Sequence, residues 1–264
     1  MTDVLRTVLA DLAAEGDRLD ALVADLDDAG WHTPTPAAGW DVATQVAHLA
    51  WTDEVATLAA RAGTPEGKAA WDDVVLAAIE DPDGFVDASA LEIARDPDLL
   101  ERWRTGRKEL AAALAEVPRG EKLPWFGPPM SPTSMATARF METWAHGLDV
   151  HEALGVEPEE STRIRHVAHL GVRTRSFAFA THGLDVPVAE FRIDLAAPDG
   201  DVWTWGPEDA AQTVTGSAVD FCRLVTQRVH RADTDLVATG PDADRWLDIA
   251  QAFAGPPGEG RAAR

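Results

Sequence analysis

The sequence predicts an α+β protein in which an N-terminal helical bundle is followed by a smaller C-terminal α+β domain. Two patterns support this prediction. Through the first part of the chain, apolar residues recur with the period of an α-helix, whereas past Gly183 short segments alternate between apolar and polar residues. The change of pattern predicts a junction between Gly155 and Glu160, and we place the two domains at residues 1–158 and 159–264.

Long amphipathic helices are predicted in the first domain. The first runs from about Val4 to Asp27, and the second begins near Asp41, an N-cap residue type, and ends near Ala60 with His48 in its middle. Further helices are predicted at 65–79, 85–95, 97–117 and in the stretch 139–151, with loops rich in proline and glycine at 30–39 and 118–133.

The second domain is predicted to mix helices with short strands. Two strands flank Pro198-Asp199-Gly200, a sequence typical of a hairpin turn, and Val214 is assigned to a third strand. The predicted strands are 191–195, 202–205 and 235–239, and the predicted helices are 160–181, 217–229 and 243–252.

Composition excludes several classes of partner. The formal charge of −22 repels phosphate backbones and anionic membrane surfaces, so we expect neither nucleic acid nor membrane as a partner. A single cysteine, Cys222, rules out a disulfide framework within the chain, and we find no segment resembling a signal peptide or a bilayer span. We expect a cytoplasmic protein, either a monomer or a homodimer.

The chemistry of the sequence centres on the stretch R-F-M-E-T-W-A-H-G-L-D-V-H, from Arg139 to His151. Glu142 and His146 are four residues apart, so a carboxylate and an imidazole project from one face of a helix. Two histidines and one carboxylate are the ligand set of many catalytic zinc sites and of non-haem Fe(II) sites. His48, on a strongly apolar helix, is the best-placed third ligand.

Simpler explanations of these residues stay open at this point. A Glu-x-x-x-His pair is commonly a solvated ion pair, and His48 has the features of a hydrogen-bonded core histidine. Arg139 is predicted to hold a carboxylate of the protein or of a substrate, and Asp149 to orient a ligand imidazole.

Other candidate residues are also ambiguous. His166 and His169 are three residues apart and fit either metal binding or an exposed surface. Cys222 is predicted to be a buried, inert thiol rather than a nucleophile. Four tryptophans at helix junctions either line a pocket or pack in the core, namely Trp31, Trp40, Trp51 and Trp144.

Two stretches together carry a resemblance to a known family. They are G-W-D-V-A-T-Q-V-A-H-L-A-W-T-D, from Gly39 to Asp53, and A-R-F-M-E-T-W-A-H-G-L-D-V-H, from Ala138 to His151. The pair resembles the mycothiol-dependent maleylpyruvate isomerase family, within the DinB-like metal-binding helical bundles, and in particular an actinobacterial branch described only as metal-binding. The resemblance covers most of the chain and implies a DinB-like four-helix bundle in the first domain.

The resemblance implies a site and a chemistry. The zinc ligands of the family match His48, Glu142 and His146, and an arginine of the C-terminal domain that serves the active site matches Arg228. Relatives use the metal to activate a low-molecular-weight thiol such as mycothiol, which attacks an electrophile. We further expect Trp51, Met130 and Ser134 to shape the thiol and electrophile pocket.

We therefore predict a zinc-dependent, thiol-using isomerase or S-transferase that acts on a small electrophile, with Arg139 or Arg228 binding a substrate carboxylate. Iron and nickel also suit these ligands. Two alternatives are a non-catalytic metal-binding or stress-associated module and a metallohydrolase that uses metal-bound hydroxide.

Overall fold

The computed structural model describes residues 1–82, 84–258 and 260–264. These residues form two compact units, Met1–Pro158 and Glu159–Arg264. The first is helical and the second combines helices with a four-stranded sheet, so the α+β class is confirmed.

The helical unit is built around four long helices. Their packing pairs α1 with α6 and α7, and α3 with the same two helices, which gives the four-helix arrangement. Two further helices, α4 and α5, pack against α3. In chain order the helices are α1 (Asp3–Val23), α2 (Asp28–Trp31), α3 (Val42–Arg61), α4 (Pro65–Glu80), α5 (Phe85–Ile93), α6 (Leu99–Glu116) and α7 (Pro132–Leu154).

Local sequence signals set the ends of the two helices that matter most for the site. Asp41 accepts a hydrogen bond from the backbone N–H of Thr44 and caps α3, as predicted. Ser131 caps α7 in the same way, so this helix begins seven residues before Arg139, inside the stretch predicted to be loop. Gly155 ends α7 with a φ of 65°, a backbone conformation that suits glycine.

Helix α3 is the centre of the core. It is buried along nearly its whole length, because α5, α6 and α7 cover different sides of it. Leu49 and Trp103 lie in one apolar cluster with Val150, and Leu110 and Met135 lie in a second cluster with Val55. The strongly apolar sequence of α3 follows from this burial.

The second unit contains a mixed sheet with the strand order β2-β1-β3-β4. Strands β1 and β2 form the predicted hairpin, β1 and β3 are parallel, and β3 and β4 are antiparallel. The elements of this unit are α8 (Arg165–Arg173), α9 (Arg175–Thr181), β1 (Phe191–Ala196), β2 (Val202–Trp205), β3 (Gln212–Ser217), α10 (Ala218–Val225), β4 (Val237–Thr239) and α11 (Pro241–Ile249).

Several predicted helices differ from the observed ones. The predicted helix 160–181 is divided at Thr174, whose hydroxyl donates to the carbonyl of Gln251 at 2.7 Å and lies 3.1 Å from the carbonyl of Leu170. The predicted helix 217–229 ends at Val225, shortly before Gln227, which has a φ of 60°. Within the described part of the chain, no helix is both long enough and apolar enough to cross a membrane.

We expect the burial of α3 to dominate the stability of the helical unit. Leu49→Ala should lower the free energy of unfolding by about 2 to 5 kcal/mol, because a fully buried leucine leaves a cavity. The matched control is Leu91→Ala on α5, since Leu91 is 42% exposed and Leu49 only 1% exposed. Urea denaturation should show a change of about 0.5 kcal/mol for the control, and equal losses in the two variants would contradict this account of the core.

Candidate metal centre

Three side chains from α3 and α7 meet within the helical unit. The Nε2 atoms of His48 and His146 lie 3.3 Å and 3.1 Å from the same carboxylate atom, Oε2 of Glu142. One ligand atom from each of the three residues falls within 4.8 Å of the other two. Helices α3 and α7 thus bring together residues that are 94 positions apart in the chain.

Gln45 fixes the orientation of one imidazole. Its side-chain oxygen accepts a hydrogen bond from Nδ1 of His146, which places a proton on Nδ1 and turns Nε2 toward Glu142. The orienting role predicted for Asp149 stays a prediction, and Gln45 is an orienting residue that was not predicted. Nδ1 of His48 is buried, and none of the described residues pairs with it.

Aromatic rings border the two imidazoles. The ring of Trp40 is stacked on His146, at 5.9 Å between centroids, and is tilted against His48 at 5.2 Å. Trp51 lies 6.3 Å from His48. These rings displace water from the imidazoles, so electrostatic interactions among the three polar side chains are stronger than at an open surface.

Arg139 is buried next to this cluster, with 3% of its surface exposed. Its Nη2 atom is 3.7 Å from Oε2 of Glu142, and its Nε atom is 4.0 Å from Oδ1 of Asp53. Burial by itself would raise the pKa of Glu142, but hydrogen bonds with His146 and His48 and the charge of Arg139 hold that pKa well below its usual value. Glu142 is therefore ionised at neutral pH.

The pKa of Asp53 is displaced in the opposite direction from that of Glu142. Its carboxyl is buried beside a small cavity of about 100 Å³, which Leu12, Trp103 and Thr143 help to line. Burial raises the pKa of Asp53 to about 7, although the positive charges of Arg139 and Arg107 act against the shift. The two carboxyl groups on either side of Arg139 thus have pKa values displaced in opposite directions.

The three ligand atoms fit a divalent cation. Ligands of a tetrahedral zinc ion lie about 3.3 Å from one another, close to the observed separations from Glu142. Gln45 accepts from Nδ1 of His146, so Nε2 is the ring nitrogen that would face a cation, which would take the place of the proton that otherwise joins Nε2 to Glu142. Three protein ligands leave a fourth position open, as in catalytic zinc sites.

The remaining predicted site residues have varied surroundings. Met130 packs on the apolar cluster that contains Leu123, with which it forms a β-bridge. The hydroxyl of Ser134 pairs with that of Ser131 in the N-terminal cap of α7. Arg228, in the second unit, donates a hydrogen bond to the backbone carbonyl of Thr226. Their contribution to the site stays a prediction.

Gln45 and Asp53 lie at the site although neither was predicted to belong to it. The signal that could have found them is the presence of polar side chains on a helix with a strongly apolar sequence, where a buried polar group requires a partner. Cys222, in contrast, is buried as predicted, and burial raises the pKa of its thiol, so the group stays protonated.

A four-helix unit with two histidines and a glutamate facing one point, followed by an α+β unit, defines the class of DinB-like metal-binding helical bundles. Comparison with known sequences identifies the family. The family described as "Mycothiol maleylpyruvate isomerase N-terminal domain" matches residues 12–151, more than half of the chain. The protein belongs to this family. A second family, described as "Wyosine base formation", matches residues 187–239 only.

The chain is also similar to other known sequences and to solved structures. Two uncharacterized proteins of Mycobacterium tuberculosis, from strains CDC 1551 / Oshkosh and ATCC 25618 / H37Rv, are each 55% identical over 96% of this chain and 97% of their own length. The crystal structures of the mycothiol-dependent maleylpyruvate isomerase and of a histidine-to-alanine mutant are 14% identical to the chain. Each has a TM-score of 0.59, with 92% of this chain and 98% of the other covered, so the fold is shared.

The displaced pKa of Asp53 leads to a stability prediction. The folded pKa of about 7 lies above the ordinary value of 3.8, so this group binds a proton more tightly in the folded state. Its contribution to stability is present at low pH and is lost as the pH rises through that interval. Asp53→Asn removes this component while keeping the volume of the side chain.

The measurement is urea denaturation of both proteins at about pH 5 and pH 7.5. We expect the free energy of unfolding of the wild-type protein to fall by about 2 to 3 kcal/mol relative to that of Asp53→Asn between these values. Other titrating groups are common to both proteins and cancel in the difference. Parallel pH dependences would show that the buried carboxyl does not titrate as assigned.

Proposed function

We propose that this protein is a zinc-dependent enzyme that activates a low-molecular-weight thiol, mycothiol being the best candidate, for attack on a small electrophile. The observation that supports the proposal most directly is the convergence of His48, Glu142 and His146 on one point, with Gln45 holding His146 in the tautomer that a metal ligand needs. Membership of the mycothiol maleylpyruvate isomerase family supports the identity of the thiol.

Each residue of the site would have its own role in the proposed reaction. His48, Glu142 and His146 would hold the metal, which when bound lowers the pKa of a thiol at its open position. Arg139, buried beside Glu142, would keep that carboxylate ionised and in place, and its contact with a substrate carboxylate stays a prediction. Trp40 and Trp51 exclude water around the imidazoles.

Two reaction types are open to an activated thiol. In an isomerase, the sulfur adds to one carbon of a conjugated alkene and a proton to the other, the new single bond rotates, and loss of the same thiol restores the alkene. In an S-transferase, the thiol stays attached to the electrophile. Both begin with the same attack, and we place the protein in the class defined by that step.

The metal assignment predicts that His48→Ala abolishes retention of the ion, because two ligands are too few for a stable site. Elemental analysis after dialysis against a weak chelator measures it. His151→Ala is the control on α7, since the imidazole of His151 pairs with the carbonyl of Val156 rather than with the cluster. Full metal occupancy in His48→Ala, or an equal loss in both variants, would contradict the assignment of His48 as a metal ligand.

The thiol assignment is tested by turnover. The metal-loaded protein should accelerate consumption of mycothiol by small α,β-unsaturated carbonyl compounds, and Glu142→Gln should reduce kcat/KM by about 100-fold, because the charge that holds the metal and the ligand geometry are both altered. Turnover of esters or amides without any thiol would instead identify a metallohydrolase. Metal binding without turnover of either kind would identify a non-catalytic metal-binding module.

A further inference from the structure

A row of aromatic rings leads away from the imidazole of His48. Its first ring is Trp51, one helical turn beyond His48 on α3, and its second is Phe85 at the start of α5, 5.2 Å from Trp51 between ring centroids. Phe126, in the loop before α7, follows at 6.4 Å from Phe85. Trp125 and Trp71 complete the row, both in ring contact with Phe126.

The row is anchored at its far end. Trp71 is buried among the apolar residues of the core, including Leu110 and Met135, and its ring contacts both Trp125 and Phe126. The loop that carries Trp125 and Phe126 is closed by two backbone hydrogen bonds between Leu123 and Met130, at 2.8 Å and 3.0 Å. These contacts hold the rings in place before any ligand arrives, which lowers the entropy cost of binding.

Core packing accounts for Trp71 and in part for Trp51 and Trp125, which pack against the apolar clusters, whereas Phe85 and Phe126 belong to neither cluster. Phe126 keeps 47% of its surface exposed, and Trp51, Phe85 and Trp125 are only partly buried. A set of rings that is rigid, partly open to solvent and continuous with an imidazole of the candidate metal centre has the features of a ligand surface. Its chemistry is apolar and flat, which suits offset or edge-on contact with another ring.

The charges around the site favour an uncharged ligand. Arg139, the cation that faces Glu142, lies within 4.0 Å of two protein carboxylates, Asp53 and Glu142. The chain as a whole carries a formal charge of −22, which does not favour the approach of a strongly anionic molecule. Neither the pairing of Arg139 with protein carboxylates nor the negative charge of the chain disfavours an uncharged electrophile.

We propose that this aromatic row, formed by Trp51, Phe85, Phe126, Trp125 and Trp71, binds the electrophile and selects substrates that carry an aromatic group within a few bonds of the alkene that reacts. This inference rests on the proposed function for the reaction itself, but the binding surface can be tested independently of turnover.

The test compares two electrophiles that share one reacting group. N-phenylacrylamide and N-methylacrylamide both accept a thiol across the alkene: the sulfur joins the terminal carbon, the thiol proton ends on the adjacent carbon, and nothing leaves. The variant is Phe126→Ala, whose exposed position should allow normal folding. Phe177→Ala is the control, because Phe177 is a phenylalanine of α9 that is 41% exposed.

With mycothiol and metal-loaded protein, Phe126→Ala should lower kcat/KM for N-phenylacrylamide by about 3- to 10-fold, mainly through KM, corresponding to the loss of one ring contact. For N-methylacrylamide the change should stay below about 2-fold. The KM for mycothiol should be unchanged, and Phe177→Ala should behave as wild type. Equal losses for the two electrophiles, no loss for either, or a rise in the KM for mycothiol would overturn the proposal.

If neither compound is turned over, a binding measurement tests whether the aromatic row binds aromatic ligands. N-phenylpropionamide, the saturated and unreactive analogue, should bind the wild-type protein more tightly than N-methylpropionamide in ligand-observed NMR titrations. Phe126→Ala should remove most of that preference. Loss of preference without turnover would support the aromatic row while refuting the proposed function, and equal binding of both analogues to wild type would refute the row.

Discussion

The central constraint on this protein is the partly buried carboxylate of Glu142, whose side chain is 22% exposed. A charge that loses part of its hydration destabilises the fold unless other groups compensate for that loss. Here two imidazoles, one guanidinium and, as we propose, a metal ion face the same oxygen atom. The positions of α3 and α7 must satisfy this requirement, so the geometry of the bundle and the geometry of the site are linked.

Helix α3 supplies several of the side chains that form the site. Gln45, His48 and Trp51 lie one turn apart from each other and contribute, in order, an orienting group, a ligand and a ring beside that ligand. Asp53 follows and supports Arg139 from the other side. Because the rest of α3 is apolar and tightly packed, these polar side chains have little freedom to move, and a rigid support of this kind is what a metal site requires.

The family relationship and the local geometry constrain function in different ways. The shared fold at 14% identity says nothing about which side chains react, whereas the match over residues 12–151 assigns the chain to a mycothiol maleylpyruvate isomerase family. In the proposed reaction the choice of electrophile would depend on side chains around the centre, such as Phe126 in the loop before α7, and a loop of this kind can vary while the ligands stay the same.

Much of the fold followed from local patterns that act over a few residues. Helical periodicity, the cap at Asp41, the Pro198-Asp199-Gly200 turn and the alternation from Phe191 onward each predicted an element that the structure contains. Element ends were less predictable. At Thr174, where the predicted helix is divided, the hydroxyl donates to the carbonyl of Gln251, 77 residues away, a contact that no local pattern reveals.

The sequence by itself determined the chemical types available for the site and, through the spacing of Glu142 and His146, which two of them share a helix face. Only the tertiary structure decided that His48 lies beside them, that Gln45 orients His146, and that Arg139 lies between Asp53 and Glu142. The physical reason is that helix periodicity relates residues within a turn or two, whereas contacts between α3 and α7 depend on how whole helices pack.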